Sequence, residues 1–383
     1  MSKPKPATYR DLGPFSDWVG AAKSAYGLYP RLAPGAEAEK TIEQLLDFSV
    51  ATEQPQLIQT GRRWCADGVS GQEISWSVGY GPRTQAWLLM PEPRPAGRLP
   101  GVVALHDHGG FKYYGKEKIA DGPEGAAPFL VPFRRQCYGG RAFANALARA
   151  GFVVLVHDVF LWGSRRFPLS VMPAWMRRPA RSKTHAAAAN GVQRRIQSYN
   201  LAAATHEHLV EKYCTLLGTS FAAVVNYEDR VAVNFLRSRP EVEAGRIGCV
   251  GLSGGGCRAA LLQARCTQIQ AAVVVGMMSA YSGLLDQHVQ CHTWMFFPPG
   301  LSRRGDWPDL AAHRAPSPLM VQYAWKDALF SRAGMRTAHR IIQEHYRRAG
   351  AAENYVGRFY PVPHRFDRRM QADAFTWLKT TLT

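Results

Sequence analysis

The chain has 383 residues, of which 46% are hydrophobic and 20% charged, a globular composition with length enough for a large buried core. No run of about 18 apolar residues occurs, so no transmembrane helix is expected. The net charge of +18 is mostly arginine spread along the chain, with no nucleic-acid-binding signature and no lysine-rich tail, which argues against a dedicated nucleic-acid domain.

Met1-Ser2-Lys3-Pro4-Lys5-Pro6 leads into polar sequence without an apolar stretch. No secretory signal is expected, and the protein reads as cytoplasmic. Its seven cysteines (Cys65, Cys137, Cys214, Cys249, Cys257, Cys266, Cys291) are odd in number and form no Cys-x-x-Cys pair, as suits reduced, mostly buried thiols. Residues 1–65 are expected to form a helical N-terminal extension, packed on the core or used in contacts between copies of the chain. Within it, Thr41 is a plausible N-cap for a helix over 41–48.

The remainder, 66–383, reads as one catalytic domain. Residues 72–78 alternate with period two, Gly79-Tyr80-Gly81-Pro82 turns, and 85–90 return as a second strand. After a proline-rich loop, 101–105 form a buried strand. Then helices and strands alternate. Helices are expected over 141–149, 198–216, 225–236, 332–348 and 367–378, and strands over 152–156, 246–250, 271–276, 318–324 and 353–360. Continuous apolar strands separated by helices indicate a mostly parallel sheet covered on both faces.

Gly251-Leu252-Ser253-Gly254-Gly255 lies between a strand and a helix, as the Gly-x-Ser-x-Gly nucleophile elbow requires. A serine on so sharp a turn is strained, and small neighbours permit it. The turn lifts the hydroxyl above the sheet and aims the Gly254 N–H at a reacting carbonyl, where the helix start favours a developing oxyanion. Serine is a weak nucleophile that needs a base, and the base needs an orienting carboxylate. With the chain order Ser, acid, His, Asp327 after the seventh strand is the candidate acid, with Asp286 its competitor. His364 after the eighth strand is the candidate base. The second oxyanion donor should come from His106-Asp107-His108-Gly109-Gly110-Phe111. Gly110 is favoured, with Gly109 and Phe111 as neighbours. Adjacent His106, Asp107 and His108 point in different directions, so no metal site is expected.

Insertions at 111–139, 163–196 and 286–311 are expected to shape the pocket. His108, Phe111, Trp162 and Trp294 are the candidates for substrate contact. Arg165, Arg166, Arg177, Arg178, Arg181, Lys183, Arg194 and Arg195 concentrate in one acid-free stretch. They form either a solvated insertion or an electropositive rim for an anionic substrate. An ion pair made by Asp158 or by Arg165 is expected to be a structural loop salt bridge.

With these residues in place, the chain resembles the α/β-hydrolase superfamily, and more narrowly the dienelactone-hydrolase-like and acetyl-xylan-esterase-like bacterial serine esterases. The matching pieces are His106-Asp107-His108-Gly109-Gly110, the 140–163 helix–strand–Asp segment, residues 246–256, Asp327 and His364-Arg365-Phe366-Asp367. The resemblance implies an esterase without a cofactor, acting on a small acyl ester such as an acetylated sugar or natural product. True dienelactone hydrolases carry a cysteine nucleophile, from which Ser253 departs. Alternatives are an amidase or peptidase of the same fold, or a non-catalytic ligand-binding relative. A homo-oligomer is compatible with the sequence.

Overall fold

The structure is a computed structural model that describes residues 8–50, 52–177 and 191–382. Among the described residues nine strands form one sheet: β1 (Gln56–Ala66), β2 (Val69–Ser77), β3 (Thr84–Pro91), β4 (Leu99–Leu105), β5 (Val153–His157), β6 (Val242–Leu252), β7 (Ile269–Val275), β8 (Leu319–Ala324) and β9 (Tyr355–Tyr360). Their order is β1-β2-β3-β5-β4-β6-β7-β8-β9. The first three strands pair antiparallel, and β3 meets β5 antiparallel. From β5 to β9 every pairing is parallel.

The helices are α1 (Asp17–Tyr26), α2 (Ala36–Leu45), α3 (Leu130–Cys137), α4 (Phe143–Arg149), α5 (Gly191–Leu216), α6 (Phe221–Arg237), α7 (Gly254–Arg265), α8 (Trp307–Ala312), α9 (Arg332–Arg348) and α10 (Arg368–Leu382). Alternate residues of the central strands enter two different cores. Val103 and Leu105 of β4 face Val231 of α6, Leu261 of α7, Leu310 of α8 and Ile342 of α9. Val102 and Ala104 face Phe143 and Leu147 of α4 and Leu378 of α10. This two-sided burial is why these strands read as continuous apolar runs. Among the described residues no helix is long and apolar enough to cross a membrane.

Two expectations need correction. Gln56–Ala66 is a strand, within the stretch expected to be helical. It is an edge strand whose residues are nearly all exposed, so no apolar alternation marks it. Thr41 is not an N-cap: α2 starts earlier, at Ala36, and Thr41 is buried inside it. Met1 to Pro6 lie outside the described residues, as do Arg178, Arg181 and Lys183 of the basic stretch.

Within that stretch Arg165 is no part of a rim. It is buried against Glu228 of α6 in an ion pair. Glu228 also accepts from Tyr80 Oη at 2.6 Å and from the Phe160 N–H at 2.9 Å. Asp158 makes a buried pair of its own, with Lys116 at 3.0 Å, and accepts the Ser164 N–H at 2.9 Å, so both residues serve in structural ion pairs. Arg166 stacks on Tyr113 and Tyr199, 4.5 and 5.8 Å from the ring centres.

Removing one partner of a buried ion pair leaves the other charge uncompensated. Glu228→Ala is therefore expected to lower the unfolding free energy by about 3–5 kcal/mol in urea titration. A loss below about 1 kcal/mol, the scale of an exposed pair, would contradict this account.

Candidate active site

The parallel strands all present their carboxyl ends at one edge of the sheet, where open α/β sheets bind ligands. The elbow stands there, after β6. Ser253 has φ 58° and ψ −122°, and its N–H donates to the Val275 carbonyl at 2.9 Å. Two glycines make the turn possible. A β-carbon on Gly251 would lie 2.4 Å from the Gly255 carbonyl carbon, and one on Gly255 would lie 2.2 Å from the Leu105 carbonyl oxygen. The serine thus sits on a backbone packed directly against β4. Gly254 opens α7, so its N–H belongs to the first turn, where no intrahelical acceptor exists. Cys249 and Cys257, on either side of the elbow, are buried.

His364, after β9, and Asp327, after β8, meet at the same edge. His364 Nδ1 and Asp327 Oδ2 are 2.5 Å apart. The other Asp327 oxygen accepts the Leu329 N–H at 2.9 Å, and the carboxylate is buried. The imidazole packs against Gly276 at the end of β7, where a β-carbon would lie 3.4 Å from its Cε1 and Nδ1. Ser253 and His364 line one cavity of about 230 Å³ with His108, Gly109, Gly110, Gly254, Met277, Cys291, His292, Thr293 and Leu329. The Ser253 hydroxyl has no hydrogen-bond partner among the described residues. Asp286 is elsewhere. It is partly exposed and held by Arg10, through Nε at 2.8 Å and the backbone N–H at 2.9 Å.

The loop after β4 has its own organiser. Buried Lys118 directs its ammonium at the Asp107 carbonyl, at Asp107 Oδ2 (3.2 Å), and at the His108 and Phe111 carbonyls (both 3.3 Å). In a planar trans peptide the C=O and N–H point oppositely, so the N–H groups of His108 and Gly109 face away from Lys118. Gly110 is differently placed from the sequence expectation. Its N–H donates to His108 Nδ1 at 3.1 Å. The Phe111 N–H is likewise taken, by the His108 carbonyl at 3.1 Å. Among the described residues, the Gly109 N–H is the one in this glycine pair without an intramolecular acceptor.

Of the substrate-contact candidates, only His108 lines the cavity. Phe111 is buried among Phe129, Phe133 and Tyr114. Trp162 is buried on Phe221, with its Nε1 3.4 Å from the His108 carbonyl, so it supports the loop from behind. Trp294 is partly exposed and gives its indole N–H to His208 at 2.8 Å. Large aromatic rings in loops were drawn into packing here, which their type alone does not distinguish from ligand contact.

Sequence reasoning missed Glu207 of α5. Its carboxylate is buried and accepts from His108 Nε2 at 2.8 Å, Thr293 Oγ1 at 2.8 Å and the Trp294 N–H at 3.2 Å, besides an ion pair with Lys112. Burial pushes its pKa up, but the charges and hydrogen bonds of His108 and Lys112 more than reverse this and hold it well below the ordinary value. Nothing local marks Glu207 on a helix of mixed polarity. His106, Asp107 and His108 diverge: Asp107 turns to Tyr138 and Lys118, and His108 to Glu207. Among the described residues no three His, Cys, Asp or Glu side chains are grouped as metal ligands.

The architecture is that of the α/β-hydrolase fold. A family model described as BAAT / acyl-CoA thioester hydrolase C terminal matches residues 226–293, a stretch that includes Ser253. In sequence, the chain is 22% identical over 274 residues to YtaP of Bacillus subtilis, named for an inferred hydrolase activity; the match covers 71% of this chain and 75% of that one. In structure, it is similar to a Bacteroides fragilis protein assigned as an acetyl xylan esterase, with TM-score 0.63, 15% identity and coverage of 92% of this chain and 84% of the other. It is also similar to a glucuronoyl esterase from Solibacter usitatus, with TM-score 0.58, 12% identity and coverage of 100% and 99%. The matches in sequence and structure are thus hydrolases and esterases by description.

A carboxyl whose pKa falls on folding adds stability that is complete above its unfolded value, here 4.5, and is lost as the pH drops through the folded one. The gap in unfolding free energy between the wild type and Glu207→Gln is therefore expected to be flat from about pH 8 to about pH 5 and to narrow in more acid solution. Urea titrations across that range measure it, and a gap that widens toward acid would contradict the assignment.

Proposed function

We propose that the protein is a serine carboxylic ester hydrolase acting on small acyl esters through an acyl-enzyme. The observation that carries this reading is a serine on a strained strand–helix turn sharing one cavity with a histidine whose Nδ1 is held by a buried aspartate. The 2.5 Å contact to Asp327 fixes the His364 tautomer and leaves Nε2 as the base. In the proposed reaction Ser253 Oγ attacks the acyl carbon while His364 Nε2 takes the hydroxyl proton. The carbonyl oxygen, now an oxyanion, is met by the Gly254 N–H. Its second donor is the Gly109 N–H, in place of Gly110, whose N–H is given to His108. His364 then passes its proton to the leaving alcohol oxygen as the C–O bond breaks. Water, deprotonated by His364, releases the acid and restores Ser253.

The cavity of about 230 Å³ favours short acyl groups, since sites for drug-sized ligands begin at about 300 Å³. A thioester is the second reading, favoured by the family match over 226–293. The two part on a substrate panel that sets p-nitrophenyl acetate against acetyl-CoA.

Ser253→Ala and His364→Ala are each expected to lower kcat on p-nitrophenyl acetate by about ten-thousandfold, with circular dichroism and melting temperature little changed. A fluorophosphonate should label Ser253 of the wild type and fail to label His364→Ala, read by peptide mapping. Turnover retained in either folded variant would remove the reading.

A further inference from the structure

The cavity holds a second histidine that the proposed reaction does not use. His292 Nε2 lies 3.1 Å from the Leu329 carbonyl oxygen. A carbonyl only accepts, so the ring proton is on Nε2 and Nδ1 carries a lone pair. Among the described residues Nδ1 has no hydrogen-bond partner. The ring is gripped by Phe330 and Phe296, with centres 4.5 and 5.0 Å away, so it cannot swing to find one. Burial pushes its pKa down to about 4, and the ring stays neutral near pH 7. The cavity therefore contains a rigid, uncharged hydrogen-bond acceptor.

Its place tells which part of an ester it meets. The Leu329 carbonyl that holds it belongs to the loop carrying Asp327, and His292 is near enough to feel the charges of Asp327 and His364. The leaving oxygen must lie beside His364, because His364 protonates it. The alcohol part of the substrate is thus the part on the His292 side.

We propose that His292 Nδ1 accepts a hydrogen bond from a free hydroxyl on the alcohol part of the ester, so that His292 is a specificity-determining residue favouring an ester with a free hydroxyl next to the esterified one. This rests on the ester-hydrolase reading above. It assigns His292 to specificity. A polar group built to pair with a substrate hydroxyl discriminates against the analogue that lacks it.

The test compares kcat/KM for 2-hydroxyethyl acetate and for propyl acetate, which puts a methyl where the hydroxyl was. Wild type, His292→Phe and Ser253→Ala are assayed near pH 7.5. The ratio of the two kcat/KM values is expected to fall about three- to tenfold from the wild type to His292→Phe, the worth of one net hydrogen bond. His292→Leu is the companion variant where Phe overfills the aromatic cage, and the same fall is expected. If His292 merely holds the Leu329 carbonyl, both substrates slow equally and the ratio stays fixed, which overturns the proposal and leaves the hydrolase reading standing. If the wild type hydrolyses neither ester faster than Ser253→Ala, both readings fall together.

Discussion

Gly255 lies so close to β4 that a β-carbon there would come within 2.2 Å of the Leu105 carbonyl oxygen. That contact fixes the start of α7 against the end of β4, and the remaining geometry follows from it. It brings the serine turn and the 106–111 loop to one point, with Gly254 beside His108: a β-carbon on Gly254 would lie 2.5 Å from the His108 nitrogen. Any side chain at 255 would push the two apart. The strain at Ser253 is tolerated because the sheet on one side and α7 on the other leave the backbone no alternative path.

Around that fixed point a line of hydrogen bonds runs from Gly110 to His364. The Gly110 N–H meets His108, His108 meets Glu207, and Glu207 receives Thr293. His292, one residue earlier, meets the Leu329 carbonyl, the Leu329 N–H meets Asp327, and Asp327 meets His364. Lys118 stiffens the first part from beneath through the Asp107, His108 and Phe111 carbonyls. Elements far apart in the chain (α5, the segment before α8, and the loops after β4, β8 and β9) thereby hold one another in register around Ser253.

The sequence was informative where the constraint is local or set by chain order. The serine turn announces itself through its glycines, and Asp327 and His364 follow strands recognisable as buried runs. It was uninformative where position depends on peptide orientation. Which of Gly109 and Gly110 keeps its N–H without an acceptor is decided by Lys118 and by the His108 ring, neither of which the glycines encode. Glu207 and His292 were invisible for a related reason: each gains its meaning from partners about a hundred and about forty residues away in the chain. β1 escaped because an exposed edge strand has no apolar period to read. Phe111 and Trp162 are packed and do not line the cavity, a placement their type does not reveal, because an aromatic ring that props up a loop and one that holds a ligand look alike in sequence.

This line of hydrogen bonds also bears on how the cavity would respond to a substrate that is too large. A wall of loosely packed side chains yields by degrees, and each added methylene costs a little more than the last. A line of hydrogen bonds 2.5–3.1 Å long gives less readily, because each bond is favoured only over a narrow range of distance and angle. An acyl chain one unit too long therefore meets a wall that opens by breaking one of these bonds. Chain-length discrimination by such a cavity takes the form of a threshold rather than a gradient.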